Sequence, residues 1–343
     1  MKSPLSDLNL SNPVIAAPMA GGATTPELVL AATRSGSLGL LAGGMRPPTL
    51  LAGDIAKVRT ETDTFGVNLF TPNSVPMDRK RFHEYAEQIQ AEAEAYGLDL
   101  RAATPIEDDD EFYDKIDLLV SSPVRVVSFT FGIPDSDSIQ RLRRAGTVVV
   151  QTITSVDEAL QAEQSGADVL VVQSSAAGGH SGTLTPEHLP DEVPLTTLVT
   201  AIGAATRLPI IAAGGLSTPA EVSDVLHHGA DAAMVGTLLL RTNESGTSPI
   251  HKAALADPAR TDTVRTRAFT GRPARALRNR FTERYSAIAP TGYPALHHLS
   301  TPLRRAATTA GDPELMNLWA GTGYRNALPE SAEQTLTRLA APL

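Results

Sequence analysis

Four times in this chain a helical stretch ends in glycine, and within two residues a run of apolar, largely β-branched residues begins: Ser35-Gly36 before 38–42, Ala145-Gly146 before 147–152, Ser165-Gly166 before 168–173, and His228-Gly229 before 231–236. A glycine there suits the left-handed backbone that closes a helix. Helix starts are equally legible. Ser155 with Glu158 and Thr218 with Glu221 read as capping boxes, the second with Pro219 at the first helical position. Further apolar runs at 13–17, 65–69, 125–129 and 209–212 bring the strands to eight. Strand and helix therefore alternate. That rhythm predicts an α/β fold, a closed (β/α)8 TIM barrel rather than an open doubly wound sheet.

At 343 residues the chain is long enough for one barrel with an insertion. The barrel is expected over 1–242. After strand eight the rhythm stops, and 243–320, punctuated by prolines and rich in arginine, is expected to form a small helical cap subdomain. A C-terminal segment, 321–343, is expected to pack back on the barrel through a helix over 331–339. The third unit is swollen between 70 and 123, with helical patterns at 79–96 and 108–120. Its acidic run, 107–111, reads as a solvated helix start and not as a metal site; no metal is expected.

Composition narrows the partners. Charged residues are 20% and apolar ones 42%, which argues against disorder, and aromatics at 4% disfavour a β-sandwich. The net charge of −9 repels phosphate backbones and anionic lipid, so neither nucleic acid nor a membrane is an expected partner. There is no cysteine, hence no disulfide, thiolate metal site or thiol nucleophile. Residues 1–12 carry one lysine and no apolar core of a signal peptide, so the chain is expected in the cytoplasm. A homodimer is the assembly allowed for.

In such barrels the chemistry sits on loops at the C-terminal ends of the strands. After the first strand comes Ala17-Pro18-Met19-Ala20-Gly21-Gly22, small and flexible enough for a flat ring to approach the backbone. After the third strand stands Asn68, an amide that donates and accepts. Ala213-Gly214-Gly215 after the seventh and Gly236-Thr237 after the eighth both precede helical sequence and read as a phosphate site. After the sixth, Gln173-Ser174-Ser175-Ala176-Ala177-Gly178-Gly179-His180-Ser181-Gly182 places one histidine in a glycine-flanked loop. His180 there could exchange a proton near neutral pH or hold positive charge for an anionic substrate. His227 and His228 close a helix, and His297 and His298 fall in the cap; all four read as structural. The arginines between 265 and 284 read as a salt-bridged face, with contact to an anionic substrate or to nicotinamide phosphates as the alternative.

Taken in order, Asn12-Pro13-Val14-Ile15-Ala16-Ala17-Pro18-Met19, Phe65-Gly66-Val67-Asn68-Leu69-Phe70, Ser128-Phe129-Thr130-Phe131-Gly132 and Ala177-Gly178-Gly179-His180 resemble the nitronate monooxygenase family, formerly called 2-nitropropane dioxygenase. The likeness continues through 210–215, 234–237, Phe269-Thr270-Gly271-Arg272-Pro273-Ala274-Arg275 and Leu318-Trp319-Ala320-Gly321, nearly the whole chain. The resemblance implies an oxidoreductase holding FMN, which oxidises alkyl nitronates with dioxygen by one-electron transfer through the flavin. It implies flavin contacts at Ala17, Pro18, Met19, Asn68, Gln151, Gln173, Gly178 and Gly179, and phosphate contacts at Gly214, Gly215, Gly236 and Thr237. His180 matches the catalytic histidine, which would take a proton from a nitroalkane or orient a nitronate.

The chain departs from the family at Ser174 and Ala176, where glycine and an acidic residue are usual, at Ser181 for arginine, and at Thr322 for glutamine. These changes are expected to alter polarity near the substrate and leave the phosphate cradle untouched. Two other functions compete: an FMN-dependent NAD(P)H reductase of a quinone or an enoyl thioester, and a non-redox barrel binding a phosphorylated metabolite.

Overall fold

The computed structural model describes residues 4–72 and 76–341. All eight apolar runs are strands of one parallel sheet: β1 (Val14–Ala16), β2 (Leu40–Ala42), β3 (Gly66–Phe70), β4 (Val126–Thr130), β5 (Val148–Ile153), β6 (Val169–Gln173), β8 (Ile210–Ala213) and β9 (Ala232–Val235). A two-residue strand, β7 (Gly179–His180), belongs to a second sheet. The order β1-β9-β8-β6-β5-β4-β3-β2 is closed by a parallel bridge between Ala16 and Gly39, so the barrel has no free edge. The four helix-ending glycines, Gly36, Gly146, Gly166 and Gly229, have φ of 77°, 86°, 95° and 106°, the left-handed conformation their position demands.

Strand alternation divides the core in two. Ile15, Leu40, Val126, Val150, Val171, Ile211 and Met234 fill the barrel interior, while Val14, Val67, Phe129, Val149, Val172 and Ile210 pack outward under the helices. The same alternation sorts the polar residues. Asn68, Ser128 and Thr130 point inward, where Asn68 Oδ1 accepts from Ser128 Oγ at 2.8 Å and from Thr130 Oγ1 at 3.0 Å.

The Thr218–Glu221 capping box forms as expected ahead of α8 (Pro219–His227). At α6 (Val156–Ser165) only half of the expected box is present. Ser155 accepts from Glu158 N, but the Glu158 carboxylate turns away to Thr154, Thr183 and Leu184. The expected C-terminal helix, α12 (Ala332–Leu339), packs on the barrel's outer cluster through Leu336 and Leu339; the rest of the 321–343 segment is described to 341.

The segment after β9 is mainly helical, with α9 (Pro249–Ala256), α10 (Arg280–Tyr285) and α11 (Ala295–Ala310). It also contains a hairpin that sequence periodicity did not show, β10 (Thr263–Thr266) and β11 (Ala274–Leu277), and β11 pairs antiparallel with β7. The swollen third unit contributes α3 (Arg79–Glu94), whose Phe82, Tyr85 and Ile89 share one core with Phe269, Phe281, Leu296 and Leu303. The acidic run ahead of α4 (Phe112–Ser121) is more engaged than a solvated terminus. Glu107 accepts from Met77 N at 2.6 Å, Asp108 meets His298 at 2.7 Å, and Asp110 accepts from Met45 N at 2.9 Å and pairs with the buried Lys115 ammonium at 2.8 Å.

Candidate active site

His180 stands at the barrel mouth because β7 is stitched to β11. Ala274 is its partner across the β7–β11 pair, and Gly179 faces Arg275. Three side chains fix the loop around it, Gln173 half-buried and Arg272 and Glu158 buried. Gln173, inward at the end of β6, donates to His180 O at 3.2 Å and accepts from Gly182 N at 2.7 Å. Arg272 donates from Nε to Ser181 O at 3.2 Å and from Nη2 to Thr183 O. Glu158 accepts from Thr183 Oγ1 and Leu184 N, each at 2.7 Å.

The imidazole is anchored at one nitrogen only. Nε2 meets the buried Thr270 hydroxyl at 2.9 Å, and Nδ1 makes no hydrogen bond among the described residues. Phe131, Tyr293 and Trp319 surround the ring at centroid distances of 5.6, 5.9 and 5.1 Å. Phe131 sits at φ 83°, a conformation costly for a bulky residue. It is held there by Arg272, whose guanidinium lies 4.1 Å over its ring and donates to its carbonyl at 3.4 Å.

The electrostatics disfavour an imidazolium. Burial, then the charges of Arg272 and Arg304, push the His180 pKa down to about 3. Neither guanidinium has a carboxylate partner within ion-pair distance among the described residues, and burial lowers both to about 10. His297, which meets the Tyr293 ring at 6.0 Å and Arg304 at 3.3 Å, is lowered to about 2 by burial and Arg304. Burial also raises the Tyr293 hydroxyl, so it stays protonated.

Next to this site the loops after β6, β8 and β9 converge. A Cβ placed on Gly178 would lie 2.4 Å from Gly321 N, 2.6 Å from Ala320 C and 2.7 Å from Thr237 Oγ1; one on Gly214 would lie 2.6 Å from Ser174 Oγ. Gly214 and Gly215 adopt φ of 108° and 79°. The N–H groups of Gly178, Gly214, Gly215, Gly236 and Thr237 make no hydrogen bond among the described residues. Unpaired backbone donors in a glycine cradle, one at a 3-10 helix start, suit a phosphate. Beside them Ala17 Cβ and Met19 Sδ both come within 3.4 Å of a Cβ built on Gly236, so the first loop borders the cradle. Asn68 Nδ2 makes no hydrogen bond among the described residues, leaving a donor inside the barrel for a bound ring.

Gln151 departs from expectation. It shares the outward face of β5 with Val149 and Ile153, and its amide donates to Gly132 O and Thr152 O, each at 3.1 Å. Thr152 is the inward residue of that strand end. The family departures also lie elsewhere than expected. A Cβ on Gly214 or Gly215 would touch Ser174, Ala177, Ala176 or Thr322, so three of the four changed positions gather at the cradle and not around His180. Phe131, Thr270 and Trp319 stand in the family-like segments with no role assigned to them there, Tyr293 and Arg304 carry no sequence signal of their own, and all five come from outside the His180 loop. Of the clustered arginines, Arg267 binds Pro186 O at 2.9 Å, Arg278 pairs with Asp262 at 3.0 Å, and Arg280 and Arg284 pair with Glu92 at 3.4 and 2.7 Å.

The nitronate monooxygenase family model matches residues 2–341. A probable nitronate monooxygenase of Bacillus subtilis (strain 168) is 34% identical over 98% of this chain and 97% of its own length. One from Staphylococcus aureus (strain Newman) is 35% identical over 97% and 94%. Among solved structures, nitroalkane oxidase from Streptomyces ansochromogenes superposes with a TM-score of 0.92 at 41% identity, covering 99% of this chain and 97% of that one. FabK from Thermotoga maritima shares the fold at a TM-score of 0.75 and 24% identity, covering 99% and 95%. With the barrel, the glycine cradle and His180 already in place, these likenesses leave one assignment: the chain belongs to the nitronate monooxygenase family of oxidoreductases.

Proposed function

We propose that this chain holds FMN across the C-terminal ends of its barrel strands and oxidises alkyl nitronates with dioxygen. Its family, and the nitroalkane oxidase it superposes on, support the reaction class. The observation that carries the reading is His180, a neutral imidazole beside two guanidiniums that lack carboxylates, at the edge of a cradle of unpaired N–H groups. FMN, when bound, supplies the redox chemistry, taking electrons singly from the nitronate and passing them to dioxygen.

The chain's share is binding, orientation and charge. N–H groups of Gly178, Gly214, Gly215, Gly236 and Thr237 bind the phosphate, and Asn68 Nδ2 and the 17–19 backbone border the ring. Thr270 fixes the imidazole so that Nδ1 is the atom offered to the substrate. Phe131, Tyr293 and Trp319 keep water from that atom and cover an alkyl chain. Arg272 and Arg304 add positive potential that favours an anion over its neutral conjugate acid.

The test is oxygen uptake by the flavin-loaded protein with propionate 3-nitronate, run beside an anaerobic mixture with NADH and NADPH. Uptake without flavin bleaching is the expected result. Fast bleaching without nitronate turnover would make the chain a reductase on this barrel.

A further inference from the structure

The antiparallel hairpin of the cap carries a like-charge conflict on its outer face. Arg265 and Arg275 are direct partners across β10 and β11, and Arg275 is in turn the partner of Gly179 across β11 and β7. Direct partners share a face of the sheet, so the two guanidinium stems and Gly179 form one row, opposite the face bearing His180, Ala274 and Thr266. Like charges placed this way destabilise a sheet. Only Arg265 has a carboxylate, Glu192 at 2.8 Å, and that side chain is 68% exposed. Arg275 has none: Nε donates to Ser175 O at 2.8 Å, Nη1 to Thr263 Oγ1 at 3.0 Å, and Nη2 makes no hydrogen bond among the described residues.

The row opens on a groove that Ser174, Ser175 and Pro190 also line. A Cβ on Gly179 would meet nothing within 4 Å, so the groove is open above Gly179. The Ser175 hydroxyl has no hydrogen-bond partner among the described residues and adds a donor. Gln173, Gly179 and His180 line it as well, so the groove adjoins the His180 loop, while none of Met19, Asn68, Gly214, Gly215, Gly236 or Thr237 does, which leaves the phosphate cradle apart from it.

We propose that this groove is a second anion site, taking the phosphate of a phosphate-bearing small molecule against Arg265, Arg275 and Ser175. Arg275 Nη2, the Ser175 hydroxyl and Arg265, whose Nη1 holds Pro190 O at 2.6 Å and whose Nη2 an anion would take over from the exposed Glu192, match a tetrahedral oxyanion, which would also relieve the cross-strand repulsion. Through Arg275 and Ser175 the ligand would touch the loop that carries His180.

The experiment is calorimetric titration of inorganic pyrophosphate into the flavin-loaded protein, whose cradle is already filled. Wild type is expected to bind, and Arg275→Gln to bind about tenfold or more weakly, as loss of a charge-assisted contact implies. Glu192→Gln, a surface change that removes the competing carboxylate, is expected to bind about two- to threefold more tightly, with flavin content and oxygen uptake unchanged. NADPH in a parallel titration identifies the source. Competition with pyrophosphate makes the nucleotide's phosphates the ligand, and independence from it leaves a free phosphate compound. Absence of pyrophosphate binding, or equal affinity in all three proteins, overturns the proposal. The titration reads even in a protein that turns over no nitronate, so the two proposals fail separately.

Discussion

Gly178 offers a sharp test of how the cofactor cradle is built. Its φ lies outside the left-handed region, so alanine costs nothing in backbone strain there. The added methyl would nevertheless sit 2.4 and 2.6 Å from backbone atoms of Gly321 and Ala320 and 2.7 Å from Thr237 Oγ1. Ordinary carbon contacts lie at about 3.5–4.0 Å, so the loops after β6 and β9 must separate from 320–321 by about 1 Å. The threonine can rotate; the backbone cannot.

Overpacking of this kind costs about 1–3 kcal/mol. Where the strain falls on donors that must converge on one phosphate, the same energy corresponds to flavin binding weakened by about 5- to 150-fold. Flavin fluorescence during titration of the apoprotein measures it directly. Gly53→Ala is the control, because a Cβ there meets nothing and the residue lies inside α2 (Pro48–Arg59); it should gain about 0.5–1 kcal/mol in stability and bind flavin normally. Unchanged flavin affinity in Gly178→Ala would refute the placement of the phosphate among these three loops.

Three further outcomes are expected. His180→Asn should retain flavin and lower kcat/KM with nitronate by about 10²–10⁴-fold in steady-state oxygen uptake; unchanged turnover would remove His180 from the mechanism. Thr270→Val, isosteric but without the hydroxyl, should keep the fold and lower kcat/KM about tenfold, since Nε2 loses its anchor at 2.9 Å; no loss would show that the aromatic shell alone orients the ring. His251, lowered to about 4 by burial against its bond to Trp319 O, stays neutral in the fold while the unfolded chain protonates below about pH 6.5. Stability should therefore fall as pH drops from 6.5 toward 4. His251→Gln should be relieved of about 2 kcal/mol of that loss at pH 5, read from urea midpoints at pH 7.5 and 5, and parallel losses would sink the assignment.

How far the sequence could be read follows from local physics. Parallel strands buried on both faces are continuous apolar runs, and a glycine that ends a helix must be left-handed, so Gly36, Gly146, Gly166 and Gly229 marked the barrel rhythm. Gln151, which the resemblance implied as a flavin contact, lies instead on the outward face of β5 with Val149 and Ile153. In Val148-Val149-Val150-Gln151-Thr152 no alternation shows which face is inward, and only the packed neighbours of Val149 and Ile153 do. Thr270, Tyr293, Trp319 and Arg304 escaped because they reach His180 across 90 residues or more, through a two-residue strand too short to leave a pattern. His297 followed the same course, read as a structural cap residue while it lies against Tyr293 and Arg304. Ala176 and Thr322 are far apart in sequence, and only the structure shows them meeting at Gly215.

The charge around His180 also decides between two substrates. With a neutral nitroalkane the imidazole would have to accept a proton and become a buried cation near Arg272 and Arg304, which with burial hold its pKa at about 3. At pH 7 an imidazolium with that pKa lies on the order of 5 kcal/mol above the neutral ring, a cost that falls on the same step that breaks the C–H bond. A nitronate needs no such step, because it arrives already anionic, and the same guanidiniums that oppose an imidazolium attract it. The kcat/KM for ethylnitronate should therefore exceed that for nitroethane by about 10² or more, measured before the two forms interconvert. Arg304→Met should narrow the gap by allowing the imidazole to protonate. Equal kcat/KM values, with a large primary isotope effect on nitroethane deuterated at the carbon bearing the nitro group, would show instead that His180 takes the proton with ease and that the cationic surroundings do not govern the choice.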